Sequence, residues 1–258
     1  MSFKINNNSS AMNANLNLTR SNATLDKSLA TLSSGSKISS AAHDASGLAI
    51  ANSLSSQVSE FGQSMMNMND SVGMLQIADG AMQGISDNTD KIRVLTMKAS
   101  NGTLSAANRA SIQEEIDGLM KSSDQIASTS SFNGIALLNG SRSSDTSADA
   151  RASSLFTSPI DVTTQENATA SLENVDAGMQ NINSIRSSFG AAQNQLESNI
   201  RNTSFGQINA AAAESQIRDV DFGAESANFS KANILSQIGS FVQSQSNASS
   251  ENVMRLLQ

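Results

Sequence analysis

One histidine and a group of three carboxylates are the residues of this 258-residue chain whose chemistry could matter most. His43 stands beside Asp44 in a connector rich in Ser and Ala, and it is the single His of a chain without Cys. Acid-base and nucleophilic catalysis need several reactive groups at one place. A local hydrogen bond is therefore the better interpretation of His43, and we expect no enzymatic activity.

Asp219, Asp221 and Glu225 could begin a cation site, because carboxylates are the ligands that Ca²⁺ prefers. Their spacing lacks the alternating oxygen ligands and the central Gly of a calcium loop. Negative charges are favourable at the start of a helix, which explains the group better. The sequence also contains no Gly-rich loop with phosphate-binding spacing. We expect neither a metal nor another cofactor.

The composition favours thin helical layers over a large globular core. The chain is 38% hydrophobic, with nine Phe, one Pro and no Trp or Tyr, whereas large cores depend on aromatic residues. The formal charge is −7 and the 16 Lys and Arg are scattered, which argues against a nucleic-acid partner. No window approaches the roughly 18 apolar residues of a membrane span, and residues 1–20 lack the apolar segment of a secretory signal.

The strongest pattern is a heptad row in residues 54–99. Its apolar residues alternate at steps of four and three, a spacing that keeps one narrow seam on one helix face and predicts a coiled coil. The row shifts its frame after Met82 and continues to Ala99, which predicts a helix of about 70 Å. Similar rows follow in residues 112–126 and 172–200. The predicted rod seam consists of Leu54, Val58, Phe61, Met65, Met68, Val72, Leu75, Met82, Ile112, Ile116, Leu119, Leu172, Val175, Met179, Ile182, Phe189 and Leu196.

Both chain ends carry weaker heptad rows. Leu18, Leu25 and Leu32 are seven residues apart, with few other large apolar residues between them. Helices this poor in apolar residues are marginal alone and need a partner. We therefore expect the two ends to pair, with an assembly seam that consists of Ile5, Leu16, Leu18, Leu25, Leu29, Leu32, Ile234, Leu235, Ile238, Phe241, Val242, Leu256 and Leu257.

These rows predict a mainly α fold, an up-and-down bundle of long antiparallel coiled-coil rods with a small β-hairpin tip. Residues 1–44 and 216–258 would form an inner domain of paired terminal helices, and residues 45–215 a rod domain. The tip would occupy residues 134–164, with one or two short strands and a loop. Residues 160–163 alternate as a strand does. The turn signal at residues 101–102 predicts the antiparallel return.

Several short segments resemble the signatures of bacterial flagellins. The N-terminal signature is similar to LATLSSGSKI at residues 29–38 and DASGLAI at residues 44–50, and it continues through LQIADGA (75–81), IQEEI (112–116) and FNG (132–134). The C-terminal signature is similar to FGAAQNQL (189–196), IRDVD (217–221) and the closing Leu256-Leu257. Only residues 141–170, approximately, lie outside this resemblance. The chain resembles a minimal flagellin without variable outer domains.

The resemblance implies a structural subunit of the bacterial flagellar filament, the helical propeller for swimming, whose main partners are copies of itself. Its terminal helices would line the filament core and would fold as they assemble. The resemblance further implies an extracellular location and export through the flagellar secretion apparatus without a cleaved signal peptide. A cytosolic export chaperone on the C-terminal segment, hook-junction proteins and cap proteins would be further partners.

Two surface features of the family can be placed on this sequence. In many flagellins an innate immune receptor reads a patch on the long rod, which corresponds here to residues 89–95 and Glu115. Arg93, Leu95 and Glu115 match that patch. Lys91 stands where the family patch has Arg, and its ammonium group cannot make the paired hydrogen bonds of a planar guanidinium. At the tip, three hydroxyl side chains would suit the O-glycosylation that some relatives carry: Ser143, Ser144 and Thr146. The alternative is that they belong to a solvated loop without modification.

Two other functions remain open at this point. A cytosolic signalling coiled coil of chemoreceptor type would share rods rich in Ala, Ser and Gln, but it would dimerise without its termini. A hook-filament junction protein usually carries a larger middle region and matches the end signatures less closely. Filament formation by the full chain separates the first alternative from a flagellin.

Overall fold

The chain is mainly helical in a computed structural model that describes residues 9–144 and 147–256. Within these residues six helices occur in chain order: α1 (Ser9–Ser34), α2 (Ala45–Ala99), α3 (Ala106–Thr129), α4 (Ala152–Leu155), α5 (Gln165–Arg218) and α6 (Phe222–Leu256). The long helices α2 and α5 contain the two strongest heptad rows. The mainly α fold predicted from the sequence is confirmed.

Four short strands form two antiparallel hairpins between α3 and α4. β1 (Ser131–Phe132) pairs with β2 (Ile135–Ala136), and β3 (Asn139–Ser144) pairs with β4 (Ser147–Asp149). Asn133 and Gly134 connect β1 to β2 with φ angles of 48° and 76°, the left-handed conformation that a two-residue hairpin loop needs. The predicted small β-hairpin region is confirmed.

Residues 160–163 do not form a strand. The side chain of Gln113 on α3 donates to the carbonyl of Ile160 at 2.9 Å and accepts the N–H of Val162 at 2.8 Å. Ser171 on α5 accepts the N–H of Asp161 at 3.0 Å and donates to its carbonyl at 2.8 Å. The predicted strand is therefore wrong, because side chains supply the hydrogen bonds that a neighbouring strand would have made.

Local capping explains where α2 and α3 begin. The carboxylate of Asp44 accepts the backbone N–H of Gly47 at 2.9 Å, and this bond holds the pKa of Asp44 below its usual range. A Cβ atom on Gly47 would collide with the same carboxylate. Ser105 caps α3 by accepting the N–H of Asn108 at 3.2 Å. The charged form of Asp44 thus stabilises the first turn of α2.

The chain divides into two compact units. The terminal unit contains the stretch up to Glu60 and the stretch from Gln207, and the central unit is Phe61–Gly206. These boundaries fall inside α2 and α5, whereas the sequence analysis placed the division at residues 44 and 216. The terminal unit therefore includes the first turns of α2 and the last turns of α5.

The central unit has one apolar core, to which α2, α3, α5 and the segments around the hairpins contribute. Leu75, Met82, Ile116 and Ile182 are among its fully buried residues. All residues of the predicted rod seam are buried or half-buried. The frame shift continues the buried row of α2 through Ile85, Thr89, Ile92, Thr96 and Ala99.

The turn between α2 and α3 is closed by Arg109, a residue that the sequence analysis did not single out. Its guanidinium donates to the carbonyl oxygens of Ala99, Asn101 and Leu104, each at 2.9 Å. The side chain is nearly buried, and three carbonyl partners satisfy it there. Arg109 therefore fixes the end of α2 against the start of α3.

Candidate assembly surface

Helices α1 and α6 of the terminal unit pair closely through small and polar residues. The residues of α1 that are not exposed recur at steps of three and four, as in a coiled coil. They include Ala11, Ala14, Leu18, Ser21, Leu25, Ser28 and Leu32. The corresponding row of α6 consists of Glu225, Phe229, Ala232, Ser236, Gly239, Gln243 and Ser246.

Two contacts align this pair. A Cβ atom on Gly239 would lie 3.1 Å from the Cδ1 atom of Leu18, so the two helices are nearly in backbone contact there. Ser236 donates a hydrogen bond to the side chain of Asn22 at 2.6 Å. The oxygen Oε1 of Gln243 is buried with no hydrogen-bond partner among the described residues. The pair is thus close but buries little large apolar surface.

The opposite face of α6 carries large apolar side chains that are exposed. Ile234, Ile238 and Phe241 are 57%, 52% and 69% exposed, and Leu235 and Val242 flank them. Their steps of four and three place them on one face of the helix. A contiguous apolar row of this kind is unusual on a soluble monomer and marks a surface for another protein.

The sequence-predicted assembly seam is divided by the structure into two groups. Leu18, Leu25 and Leu32 are half-buried, on the face of α1 that meets α6. The remaining described members are exposed: Leu16, Leu29, Ile234, Leu235, Ile238, Phe241 and Val242. Ile5, Leu257 and the side chain of Leu256 lie outside the described residues.

The structure thus differs from the sequence analysis in the face of α6 that meets α1. A search for large apolar residues selects Ile234, Ile238 and Phe241, whereas the contact uses residues small enough to let the backbones approach. The heptad spacing of Ala232, Ser236 and Gly239 was the signal that could have identified this face.

The polar candidates of the sequence have local structural roles. His43 forms its hydrogen bond with Ser39, at 3.2 Å, and not with Asp44. Asp221 accepts the N–H groups of Gly223 and Ala224 at the start of α6, as helix-start charges do. Across residues 9–144 and 147–256, no three His, Cys, Asp or Glu side chains are grouped so that they could hold a metal ion.

In the patch that corresponds to the receptor site, one side chain already forms an ion pair within the chain. Arg93 donates to Asp176 on α5 at 2.6 Å, and this bond raises the pKa of Arg93. Leu95 packs against the central core, while Lys91 and Glu115 are exposed. Ser143 and Ser144 end β3, and Thr146 lies outside the described residues.

The described helices share one further property. None of them combines the length and the apolar content that crossing a membrane requires.

Family models match both parts of the chain. The helical region from the N-terminus of bacterial flagellins matches residues 5–143, and the C-terminal helical region matches residues 172–257. The chain belongs to the bacterial flagellin family. As a flagellin, it is a self-assembling structural subunit of the flagellar filament, which is extracellular. The family is a structural one.

Individual relatives agree with this assignment over nearly the whole chain. The chain is 31% identical to the flagellar filament 31.3 kDa core protein of Treponema maltophilum, 31% to the flagellin of Halalkalibacterium halodurans and 32% to the flagellin of Bacillus subtilis. Each comparison covers 98% of this chain and 99% of the relative. The flagellin resemblance is confirmed, and these matches support neither the signalling coiled coil nor the junction protein.

Among solved structures, the chain is similar to a crystal structure of Bacillus cereus flagellin. The TM-score is 0.48 at 25% identity, and the similarity covers 54% of this chain and 88% of that one.

Proposed function

We propose that the terminal helices drive filament growth by folding stably only as they assemble. The observation that carries this proposal is the exposed apolar row of α6, with Phe241 at 69% exposure. Among the described residues of the terminal unit, Ile38 is the one large apolar side chain that is buried. A unit with so little burial cannot offset its own ordering cost.

Neighbouring copies would supply the missing burial. Fully burying a Leu, Ile or Phe side chain contributes about 1.5–3 kcal/mol relative to leaving it exposed. Ordering one residue of backbone costs about 1–2 kcal/mol. Covering Ile234, Ile238 and Phe241 in the filament therefore offsets a substantial part of the cost of ordering α6. Assembly and folding of the terminal unit are in this way one coupled process, in which the unit forms the inner layer of the filament.

The other expected partners act during export of the chain and assembly of the filament. We infer export of the unfolded chain through the flagellar secretion apparatus without a cleaved signal peptide, with cap and hook-junction proteins at the filament ends. A cytosolic chaperone would hold the C-terminal segment before export. The support for a chaperone is the amphipathic character of α6, since an apolar helix face is what a protein groove binds.

Two surface roles remain proposals. We infer that an innate immune receptor recognises this chain weakly, because Asp176 holds Arg93 and Lys91 replaces an Arg of the family patch. Ser143, Ser144 and Thr146 are the candidate sites for O-glycosylation.

Seeded polymerisation tests the coupled folding. Full-length protein and a chain trimmed to residues 48–215 are mixed with short filament seeds, and growth is followed by light scattering, electron microscopy and circular dichroism. We expect long filaments and rising helicity from the full-length chain alone. Small oligomers of unchanged helicity from both chains would instead support a dimeric coiled coil.

Two point variants test the α6 face within the full chain. We expect Phe241→Gln to stop growth while the central unit keeps its helicity. Ser244→Gln adds the same side chain at an exposed position of α6 and serves as the control. Equal growth of the two variants would show that the α6 face is not covered in the filament.

A further inference from the structure

A groove of about 500 Å³ along α1 and α6 is lined by three cationic side chains. Arg20 and Lys27 come from α1, and Lys231 comes from α6. Arg20 and Lys27 are seven residues apart, which places them on one helix face, about 10 Å apart along the axis. Hydrogen-bonding groups lie between and beside the cations: Ser21, Thr24, Ser28 and Asn228.

The charges in the lining of this groove are not balanced. Glu225 is the one carboxylate of its lining, so three cations and one carboxylate leave a surplus of two positive charges. The ion pairs of the described residues involve Arg93, Arg151, Arg186 and Arg218, and none of the three groove cations. Like charges that face one another repel, and an anionic partner removes that repulsion.

The molecule as a whole has a net negative charge, opposite in sign to the charge of the groove. The chain carries 23 Asp and Glu against 16 Lys and Arg, a formal charge of −7. Copies packed into a filament therefore repel one another unless opposite charges meet at their contacts. A cationic groove on a net acidic subunit is complementary in charge to the acidic side chains of a neighbouring copy.

We propose that this groove receives carboxylate side chains of a neighbouring copy in the filament. The proposal rests on the proposed assembly function and adds an electrostatic contact to the apolar one. A groove that binds a different surface of the next copy makes a heterologous contact, and such a contact generates an open helix when the rotation between copies does not close into a ring. The lysines and the arginine supply charge, and the hydroxyl groups of Ser21 and Ser28 donate hydrogen bonds that orient the carboxylate oxygens.

Cross-linking between isotopically distinct copies tests the contact. Filaments are assembled from an equal mixture of unlabelled and ¹⁵N-labelled full-length chains, confirmed by electron microscopy, and treated with a carbodiimide, which joins a Lys amine to a carboxylate in contact with it. We expect mass spectrometry to find Lys27 or Lys231 joined to an Asp or Glu of the other isotope in filaments, and not in unassembled chains.

Other cross-linking results would overturn the proposal. Lys121, four residues after Asp117 on α3, reports that the reagent has reacted. Filaments in which Lys121 is cross-linked while Lys27 and Lys231 are joined only to carboxylates of their own chain, such as Glu225, or to nothing, would exclude the contact. Protection of these lysines by sulfate in unassembled chains, without links between copies, would assign the groove to a free anion. Absence of filaments by microscopy would instead contradict the proposed assembly function, and the contact with it.

A charge-neutralising variant gives an independent readout. We expect Lys27→Gln with Lys231→Gln to raise the critical concentration for polymerisation about three- to tenfold at low salt. The effect should shrink as NaCl is added, because salt screens exposed charge pairs. Lys121→Gln, exposed on α3, is the matched control, and circular dichroism checks helicity. A double variant that polymerises like this control at every NaCl concentration would contradict the proposal.

Discussion

The central and terminal units use their apolar residues in opposite ways. In the central unit, helices α2, α3 and α5 surround side chains such as Leu75, Met82 and Ile116, which have almost no exposed surface. In the terminal unit, the contact between α1 and α6 combines small and polar residues with half-buried leucines of α1, and the large apolar residues on the opposite face of α6 are exposed. Eleven of the sixteen large apolar residues that are exposed in the described chain belong to the terminal unit. We therefore expect the central unit to be stable by itself and the terminal unit to be completed by neighbouring copies.

The largest expected difference comes from truncating one isoleucine in each unit. Ile116→Ala removes a fully buried side chain and should cost about 2–5 kcal/mol of unfolding free energy. Ile238→Ala removes one that is 52% exposed and should change the stability of the unassembled chain by less than about 1 kcal/mol. Chemical denaturation followed by circular dichroism measures both. Equal losses would contradict the comparison between the units.

A pair of glycines on α5 tests the packing of the central unit. A Cβ atom on Gly178 would overlap the ring of Phe156, so Gly178→Ala should cost about 1–3 kcal/mol through overpacking. At Gly190, on the same helix, no atom lies within 4 Å of the added Cβ. Gly190→Ala should therefore stabilise by up to about 1 kcal/mol through helix propensity. Thermal unfolding curves should move in opposite directions, and a shift in the same direction would mean that Phe156 can move aside.

A substitution of Arg109 tests how far the stability of the central unit depends on the turn between α2 and α3. Arg109→Lys keeps the charge but cannot donate to three carbonyl oxygens with the same geometry, so we expect a loss of about 1–3 kcal/mol. Native-state hydrogen exchange should show faster exchange at the end of α2 and the start of α3. Exchange unchanged there would show that the guanidinium is not needed to close the turn.

The smallest expected effect is the acid dependence of the β3–β4 hairpin. Arg151, together with Ser154, holds the pKa of Asp149 well below its usual range. Because the folded pKa is depressed, the stabilisation is fully present above the unfolded pKa of about 3.9 and is lost as the pH falls towards the folded value. Asp149→Asn should therefore reduce the loss of central-unit stability between neutral and strongly acidic pH, whereas Asp70→Asn, an exposed position on α2, should not. Equal acid profiles for both variants would contradict this assignment.

The sequence was sufficient for the parts of the fold that depend on periodicity. The seam of α2 follows the heptad steps, and its shifted frame places Thr89 and Thr96 in the core with their hydroxyl groups bonded to carbonyls four residues earlier, at 2.8 Å each. The small-residue contact of α6 was not predicted, because it is defined by close backbone approach rather than by hydrophobicity. Pairs such as Arg93 with Asp176 were also missed, since periodicity gives no partner on another helix.

The side-chain bonding of residues 160–163 has a consequence for solubility. A strand leaves N–H and C=O groups along any unpaired edge, and such an edge is a template for pairing with another chain. Here Gln113 and Ser171 bind four of these groups, namely the carbonyl of Ile160, the N–H and carbonyl of Asp161 and the N–H of Val162. A neighbouring subunit at a growing filament end therefore meets backbone groups that are already bonded, which removes part of the template for β-aggregation at this segment.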